Sequence, residues 1–259
     1  KPDSFLLGEV WEDGSNKIAY SRRRRYLLGR ETHGLMNYPL RTAALDYIRG
    51  GSAAAFRDTM EEQRENYPPA AFYSGLNILG THDTPRILTL LGADAIPDSK
   101  EARVAYHLSP EARQLAVRRL TLAAMLLYTF PGSPTLYYGD EAGMEGFEDP
   151  MNRQGFPWGR EDRRLLALYR TLGKLRKERR SLQSGDITYL TADGGLLVYR
   201  RTLDGESTYT ALNTGGTSRT VTLPWKNGFA MDAVSMQQFW VRNGELRIDL
   251  PPCDGVVLV

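Results

Sequence analysis

Residues 80–86, Gly-Thr-His-Asp-Thr-Pro-Arg, follow an apolar run at residues 76–79 that is typical of a buried strand. Directly after that strand, the chain places an imidazole, a carboxylate, hydroxyl groups and a guanidinium. Titratable groups at the carboxyl ends of buried strands are typical of the mouth of a catalytic α/β barrel. Taken alone, this stretch is equally compatible with a structural role, because Asp83 would be a suitable cap for a helix that begins at Pro85.

The composition predicts an ordinary globular protein with a sizeable core. The chain has 259 residues, of which 41% are hydrophobic and 25% charged, and this length suits one large domain or a larger and a smaller one. A formal net charge of +2 gives no electrostatic reason to expect nucleic acid or an anionic membrane as a partner. Cys253 is the only cysteine and no signal peptide is visible, so we expect no internal disulfide and a cytoplasmic location.

Strands and helices alternate in the first part of the chain, whereas only strand patterns follow in the second. Strand candidates lie at residues 5–11, 35–40, 77–79 and 134–141, and helix candidates at residues 41–49, 52–66, 85–92, 109–130 and 163–180. Residues 93–107 show no regular pattern, and a long loop at residues 142–160 is a candidate for function. From residue 185 onward, short alternating runs separated by Gly, Asp and Asn predict an antiparallel β-sandwich.

The number of strand–helix units leaves two α/β architectures open. Residues 1–182 contain four such units, whereas a closed (β/α)8 barrel contains eight. They would form either an open sheet or the second half of a TIM barrel. The chain enters an apolar strand almost at once and has no initiator Met, so we favour the C-terminal half of a barrel, followed by a β-sandwich domain at residues 183–259.

Charged side chains recur at the ends of the predicted strands. Glu9 ends the first strand, Asp140 lies at the end of the last, and Asp149 and Arg153 lie in the loop that follows. Taken singly, each has a structural explanation, such as a buried ion pair or a turn cap. Their recurrence at equivalent ends of successive strands favours one common site.

Four consecutive arginines occupy residues 22–25. Such a run can bind phosphate, but the solvated face of a short helix is the favoured interpretation, because little else in the chain is basic enough to support a nucleic-acid site.

The strand-end motifs, in this order, resemble those of the α-amylase family (family 13 glycoside hydrolases), and most closely its neopullulanase and cyclomaltodextrinase branch. Gly-Glu-Val-Trp at residues 8–11 is similar to the family's fifth-strand motif, and residues 36–39 are similar to the sixth. Residues 77–86 resemble the seventh-strand motif and residues 132–141 the eighth. The strand-rich tail is similar to the family's C-terminal sandwich, so the resemblance covers nearly the whole chain.

The resemblance implies a retaining hydrolase that cleaves α-1,4, or α-1,6, glucosidic bonds in an α-glucan or maltooligosaccharide. Such an enzyme needs one carboxyl that protonates the leaving oxygen and one carboxylate that attacks the sugar. By resemblance, Glu9 is the general acid/base and Asp83 the transition-state stabiliser, although spacing alone does not distinguish a stabiliser from a nucleophile. The residues expected to bind sugar are Trp11, His82, Arg86, Tyr138, Asp149 and Arg153.

The family's nucleophile, an Asp in a Gly-x-Arg-x-Asp pattern on an earlier strand, has no counterpart in this sequence. We therefore expect a fragment of a longer enzyme that is inactive on its own. The segment is expected to hold no metal ligands or cofactor, although the resemblance allows calcium in the longer enzyme. The oligomeric state is not predicted.

Two alternatives to hydrolysis remain open. One is a transglycosylase or isomerase of the same family, which would share these motifs. The other is a non-catalytic, amylase-like carbohydrate-binding protein, which is disfavoured because Glu9, His82 and Asp83 are all present.

Overall fold

Alternating strands and helices form the first part of the computed structural model, which describes residues 4–226 and 228–259. The elements up to residue 184 are β1 (Leu7–Gly8), β2 (Ile18–Ala19), β3 (Arg22–Arg23), β4 (Gly34–Asn37), α1 (Tyr38–Ile48), α2 (Ala53–Asn66), α3 (Pro69–Tyr73), β5 (Leu76–Ile78), α4 (Ile87–Gly92), α5 (Lys100–Ala105), α6 (Pro110–Thr129), β6 (Ser133–Thr135), α7 (Arg163–Glu178) and α8 (Arg180–Ser184). Short helical turns at Tyr26–Arg30 and Met151–Arg153 complete this part.

A four-stranded parallel sheet with the order β1-β4-β5-β6 is the centre of this part. Its neighbouring strands pair in register, with Met36 opposite Leu76 and Leu76 opposite Ser133. Because all four strands run in the same direction, their carboxyl ends lie along one edge of the sheet. The segments that follow the strands therefore meet at that edge.

A buried chain of amide hydrogen bonds fixes the register of β4, β5 and β6. Asn37 Nδ2 donates to Asn77 Oδ1 at 3.0 Å and to Gln63 Oε1 at 3.2 Å, and Gln63 Nε2 donates to Asn37 Oδ1 at 2.9 Å. Asn77 Nδ2 donates to the carbonyl of Pro131 at 2.7 Å. A shift of one residue would leave these buried amides without partners, so the alignment of the strand ends is strongly specified.

The predicted helix caps at Ser52 and Ser109 are confirmed. Each hydroxyl accepts a hydrogen bond from a backbone N–H in the first turn of the helix, α2 for Ser52 and α6 for Ser109. Asp162 caps α7 in the same way. Capping is a local interaction, and the sequence signal was therefore sufficient to locate these helix starts.

Other boundaries predicted from the sequence are wrong. The strand predicted at residues 35–40 ends at Asn37, and α1 begins at once, with Pro39 in its first turn. Helix α5 occupies part of the segment predicted to be irregular. The strand at residues 5–11 is reduced to Leu7–Gly8. The short strands are set by pairing with neighbours, which a single stretch of sequence does not show.

Antiparallel sheets make up the rest of the chain. The strands are β7 (Asp186–Asp193), β8 (Leu196–Leu203), β9 (Glu206–Asn213), β10 (Arg219–Pro224), β11 (Phe229–Met231), β12 (Gln238–Trp240), β13 (Glu245–Leu250) and β14 (Asp254–Leu258). They form a four-stranded sheet, β14-β9-β8-β7, and the pairs β10-β13 and β11-β12. A hydrophobic core separate from the main one joins these sheets, with Val198, Val221, Ala230 and Ile248 among its members.

The two parts of the chain are joined by buried polar contacts as well as by the main hydrophobic core, which includes residues on both sides of residue 182. The hydroxyls of Thr129 in α6 and Tyr199 in β8 are 2.5 Å apart. The fully buried guanidinium of Arg201 donates to the carbonyl of Gly185 at 2.7 and 3.0 Å and to the carbonyl of Thr129 at 2.8 Å. Arg201 therefore connects β8 to the end of α6.

Among the helices of the described residues, none combines the length and apolar character needed to cross a membrane.

We expect Arg201→Ala to lower the free energy of unfolding by about 3 kcal/mol, because it leaves the carbonyls of Gly185 and Thr129 without donors and opens a cavity. The matched control is Arg180→Ala, which removes an exposed ion pair with Asp204 and should cost less than about 1 kcal/mol. Urea unfolding of the unmodified protein and of the two variants measures both changes in the free energy of unfolding. Equal effects of the two substitutions would contradict a structural role for the buried arginine.

Candidate active site

Glu9 immediately follows β1, at the edge of the sheet where the carboxyl ends of the strands lie. Its carboxylate is exposed and is held by two aromatic side chains. Trp11 Nε1 and the Tyr38 hydroxyl each donate to Glu9 Oε1 at 3.2 Å. The carboxyl is thus oriented by donors while it remains accessible to a ligand.

Tyr38 connects Glu9 with the turn that follows β5. Its ring is 2% exposed and stacks on that of Trp11, with centroids 4.2 Å apart and an interplanar angle of 14°. Burial raises the pKa of Tyr38, and the charges of Glu9 and Asp83 raise it further, whereas a hydrogen bond with the side chain of Thr81 opposes the shift. The charges of both predicted catalytic carboxylates therefore act on the pKa of one tyrosine.

The carboxylate of Asp83 lies between a histidine and an arginine. His82 Nε2 is 3.2 Å from Asp83 Oδ2, and Arg153 Nη2 is 3.4 Å from Asp83 Oδ1 and 3.6 Å from Asp149 Oδ2. Arg153 Nε also donates to the carbonyl of His82 at 3.1 Å. The structure thus brings together four of the residues predicted to line the site, two from each of two distant loops.

Asp83 does not cap the following helix. Helix α4 begins at Ile87, after Pro85 and Arg86, and no side chain caps its first turn. The structural interpretation of Asp83 as a helix cap is therefore wrong. The exposed carboxylate is instead held by charged side chains at the surface.

Asn152 supports the 82–84 turn from below, and sequence reasoning missed it. The side chain is fully buried, and its Nδ2 donates to the carbonyls of His82 and Thr84, each at 2.8 Å. Within the turn, the backbone N–H of Thr81 donates to Thr84 Oγ1 at 3.1 Å. The only signal in the sequence was that Asn152 is the neighbour of Arg153.

Arg86 is fully buried and does not reach the surface that carries Asp83 and His82. Its guanidinium lies over the rings of Tyr137 and Tyr138, 4.4 and 4.7 Å from their centroids, and its Nη1 contacts the Tyr138 carbonyl and, at 3.3 Å, Asp140 Oδ1. A side chain in this position cannot bind sugar directly. It joins the turn after β5 to the segment after β6.

Tyr138 lies at the rim of the site, where its ring is partly exposed. Its hydroxyl donates to the carbonyl of Gln154 at 2.7 Å, which connects the segment after β6 to the loop that carries Arg153.

Asp140 lies beneath this rim and is 2% exposed. Burial raises the pKa of Asp140 to about 7, and the guanidiniums of Arg86 and Arg41 only partly oppose that shift.

The arrangement has the chemical features of a carbohydrate site. Accessible carboxylates, an imidazole and a guanidinium can bind sugar hydroxyls, and Trp11 and Tyr138 offer aromatic surface to apolar sugar faces. Within residues 4–226 and 228–259, no three His, Cys, Asp or Glu side chains are grouped closely enough to hold a metal ion.

Comparison with known proteins connects this geometry with one family. The model of the alpha-amylase catalytic domain matches residues 1–164. The chain is 33% identical to an amylopullulanase from Thermoanaerobacter thermohydrosulfuricus, over all of this chain and 18% of that protein. It is 31% identical to a cyclomaltodextrinase from Geobacillus thermopakistaniensis, over 97% of this chain and 39% of that protein. The chain thus spans less than half the length of these relatives.

Solved structures show the same likeness. A cyclomaltodextrinase structure superposes on the whole chain with a TM-score of 0.79 and 26% sequence identity, and 41% of that structure is covered. The match therefore includes the antiparallel sheets as well as the segment that carries Glu9 and Asp83.

We expect Asp140→Asn to flatten the dependence of stability on pH. The pKa of an Asp in the unfolded chain is about 4, whereas the pKa of Asp140 in the folded protein is about 7. The folded state therefore binds the Asp140 proton more tightly, and the protein loses stability as pH rises from about 4 to about 7. Between pH 5 and pH 8 the unmodified protein should lose roughly 2–3 kcal/mol relative to the variant. Urea unfolding at several pH values measures this difference, and parallel curves would show that Asp140 titrates normally.

Proposed function

Because this chain belongs to the alpha-amylase family of glycoside hydrolases (family 13), we propose that it forms one wall of the active site of a retaining enzyme that hydrolyses an α-glucan. The family match confirms the resemblance found in the sequence. The proposed substrate is an α-glucan or maltooligosaccharide with α-1,4 bonds, or with α-1,6 bonds, since an amylopullulanase and a cyclomaltodextrinase are among the relatives.

The proposed architecture is the C-terminal half of a catalytic (β/α)8 barrel at residues 1–182, comprising its fifth to eighth strands. The support is the parallel order β1-β4-β5-β6, in which β1 and β6 are edge strands among the described residues. A C-terminal antiparallel β-sandwich at residues 183–259 completes the proposal, and the core shared by its sheets supports it. Helix α8 spans the proposed boundary, and the contacts of Arg201 tie the two parts together.

The observation that carries the proposed function is that Glu9 and Asp83 follow parallel strands whose carboxyl ends lie along one edge of the sheet, where Tyr38 holds Glu9. Its hydroxyl donates to Glu9, and its pKa responds to the charges of both Glu9 and Asp83. In the proposed mechanism, Glu9 protonates the leaving glycosidic oxygen and later activates water, and Asp83 binds sugar hydroxyls more strongly as the ring becomes oxocarbenium-like.

The remaining predicted residues take different roles in this proposal. His82, Asp149 and Arg153 bind sugar hydroxyls, and their contacts with one another orient them around Asp83. Trp11 stacks on Tyr38 with one face, and because half of its side chain is exposed, the other face can pack on glucose. Tyr138 offers similar aromatic surface at the rim. We reassign Arg86 from sugar binding to positioning, because its guanidinium is fully buried.

The attacking carboxylate is proposed to come from a segment outside this chain. The sequence contains no Gly-x-Arg-x-Asp pattern, and the chain spans only 18% and 39% of the relatives compared above. A retaining mechanism requires that second carboxylate about 5–5.5 Å from the acid/base. In this proposal the chain is a fragment of the complete enzyme.

We therefore expect the chain alone to show no turnover of maltooligosaccharide, cyclodextrin or pullulan, because it lacks the nucleophile. Reducing-sugar release at high protein concentration measures this. Turnover that Glu9→Gln abolishes would show that a carboxylate within the chain serves as nucleophile, and would contradict the assignment.

In the longer enzyme that contains this chain, Glu9→Gln should lower kcat on maltooligosaccharides by about 10²–10⁴-fold, because proton donation to the leaving group is lost. Substrate binding should persist. The matched control is Glu12→Gln, which alters a nearby exposed carboxylate paired with Lys17 and should leave kcat within about twofold.

An α-glucosyl fluoride distinguishes loss of the acid from general damage to the site. Fluoride needs little protonation to leave, so the Glu9→Gln variant should form the glycosyl-enzyme from this substrate far faster than from maltooligosaccharide. Equal impairment on both substrates would contradict the role of Glu9 as general acid.

A further inference from the structure

The four consecutive arginines at residues 22–25 lie on and after a β-hairpin, and not on a helix as the favoured interpretation of the sequence predicted. Strands β2 and β3 pair as Ile18 with Arg23 and Ala19 with Arg22. Tyr20 and Ser21 form the tight turn between them, both with positive φ. We call residues 18–25 the arginine hairpin. It belongs to the segment that connects the Glu9 strand to β4.

The guanidiniums of the arginine hairpin are not neutralised by carboxylates. Across residues 4–226 and 228–259, no Asp or Glu oxygen lies within 4.0 Å of a side-chain nitrogen of any of the four. Two carboxylates lie nearby, and each keeps its negative charge because its hydrogen-bond donors there are neutral. Glu31 accepts from the backbone N–H of Arg25, and Asp13 accepts from the side chain of Asn66. Four guanidiniums against these two carboxylates leave this surface with a net positive charge.

A cavity of about 130 Å³ opens between the hairpin and the corner where α2 meets α3. This volume exceeds the roughly 10–15 Å³ of such space that a single water needs, so the cavity can hold a small polyatomic ligand. The polar side chains among its lining residues come from both walls and are Ser15, Asn16, Arg23, Arg24, Arg25, Tyr26 and Asn66.

Two buried polar atoms among these lining residues lack hydrogen-bond partners within the described part of the chain. They are Ser15 Oγ and Arg24 Nε. A buried donor without a partner costs free energy, and native structures usually satisfy it with protein, water or a ligand. Both atoms are closed to solvent, so they are polar groups within the cavity wall that the fold leaves without partners, and not donors already exposed to the cavity.

The surrounding contacts hold this arrangement in place. Arg23 Nη2 donates to the carbonyl of Ser15 at 3.3 Å and to Asn16 Oδ1 at 3.2 Å, which leaves the other edge of its guanidinium available. The guanidinium carbon of Arg24 lies 5.2 Å from the ring centroid of Tyr20. The backbone N–H of Gly14 donates to the Tyr67 hydroxyl at 2.9 Å and so anchors the segment to the loop between α2 and α3.

We propose that this cavity binds a phosphate group, with Arg23, Arg24 and Arg25, which line it, as charged donors. A tetrahedral oxyanion has enough acceptor oxygens for several guanidiniums at once, and Arg forms paired hydrogen bonds with such oxygens. The group is either inorganic phosphate or the phosphate of a sugar monoester. This site is separate from Glu9 and Asp83 and does not depend on the proposed hydrolytic function.

The test is a binding titration of the protein with inorganic phosphate, glucose 6-phosphate, glucose, and sodium chloride at matched ionic strength. Phosphate or glucose 6-phosphate should give saturable binding, and glucose and chloride should not. Arg24→Gln and Arg23→Gln should each weaken binding by about tenfold or more, as expected for loss of one charge-assisted hydrogen bond. Tighter binding of glucose 6-phosphate than of phosphate identifies an ester, and the reverse identifies the free anion.

Arg22→Gln is the matched control, because Arg22 belongs to the same run but does not line the cavity; it should change affinity by less than about twofold. Arg24→Lys keeps the charge but loses the guanidinium fork, so it should bind with intermediate affinity. Thermal unfolding without phosphate checks that each variant is folded. Equal weakening by Arg22→Gln and Arg24→Gln, or a chloride response equal to that of phosphate, would overturn the proposal.

Discussion

The hydrogen bond between the buried side chains of Asn37 and Asn77 is the contact on which the geometry of the site most depends. These residues are paired neighbours on β4 and β5. Further hydrogen bonds connect Asn37 to Gln63 in α2, and Asn77 to the carbonyl of Pro131 in the segment before β6. Each strand of the sheet has only two to four residues, so backbone pairing alone specifies the register weakly. The buried amides supply that specification, because none of them can be displaced without losing its partners.

Alignment of the strand ends places the charged residues, and buried polar contacts then divide them into two layers. Glu9, His82 and Asp83 lie in the outer layer, where a ligand can reach them. Arg86 and Asp140 lie in the inner layer, in contact with each other and closed off from solvent. The inner pair supports the outer layer from below, since Arg86 also contacts the carbonyl of Tyr138.

The sequence was informative where the determining interactions are local. Caps at Ser52 and Ser109 and the order of strands and helices follow from residues a few positions apart. The buried position of Arg86 could not be predicted, because its partner Asp140 is 54 residues away and both residues looked like members of the site. The role of Tyr38 likewise depends on Trp11 and Thr81, which reach it from other loops. The arginine run was assigned to a helix because pairing of β2 with β3 leaves almost no signal in two-residue strands.

The central claim is that Glu9 and Asp83 act on one glucose unit of a bound α-glucan. A crystal structure of the longer enzyme proposed to contain this chain, in its Glu9→Gln form with a maltooligosaccharide, tests it most directly. We expect the side chain at position 9 to lie within about 3 Å of a glycosidic oxygen, and Asp83 to hydrogen-bond to hydroxyls of the adjoining glucose. An oligosaccharide bound away from these two side chains would contradict that claim.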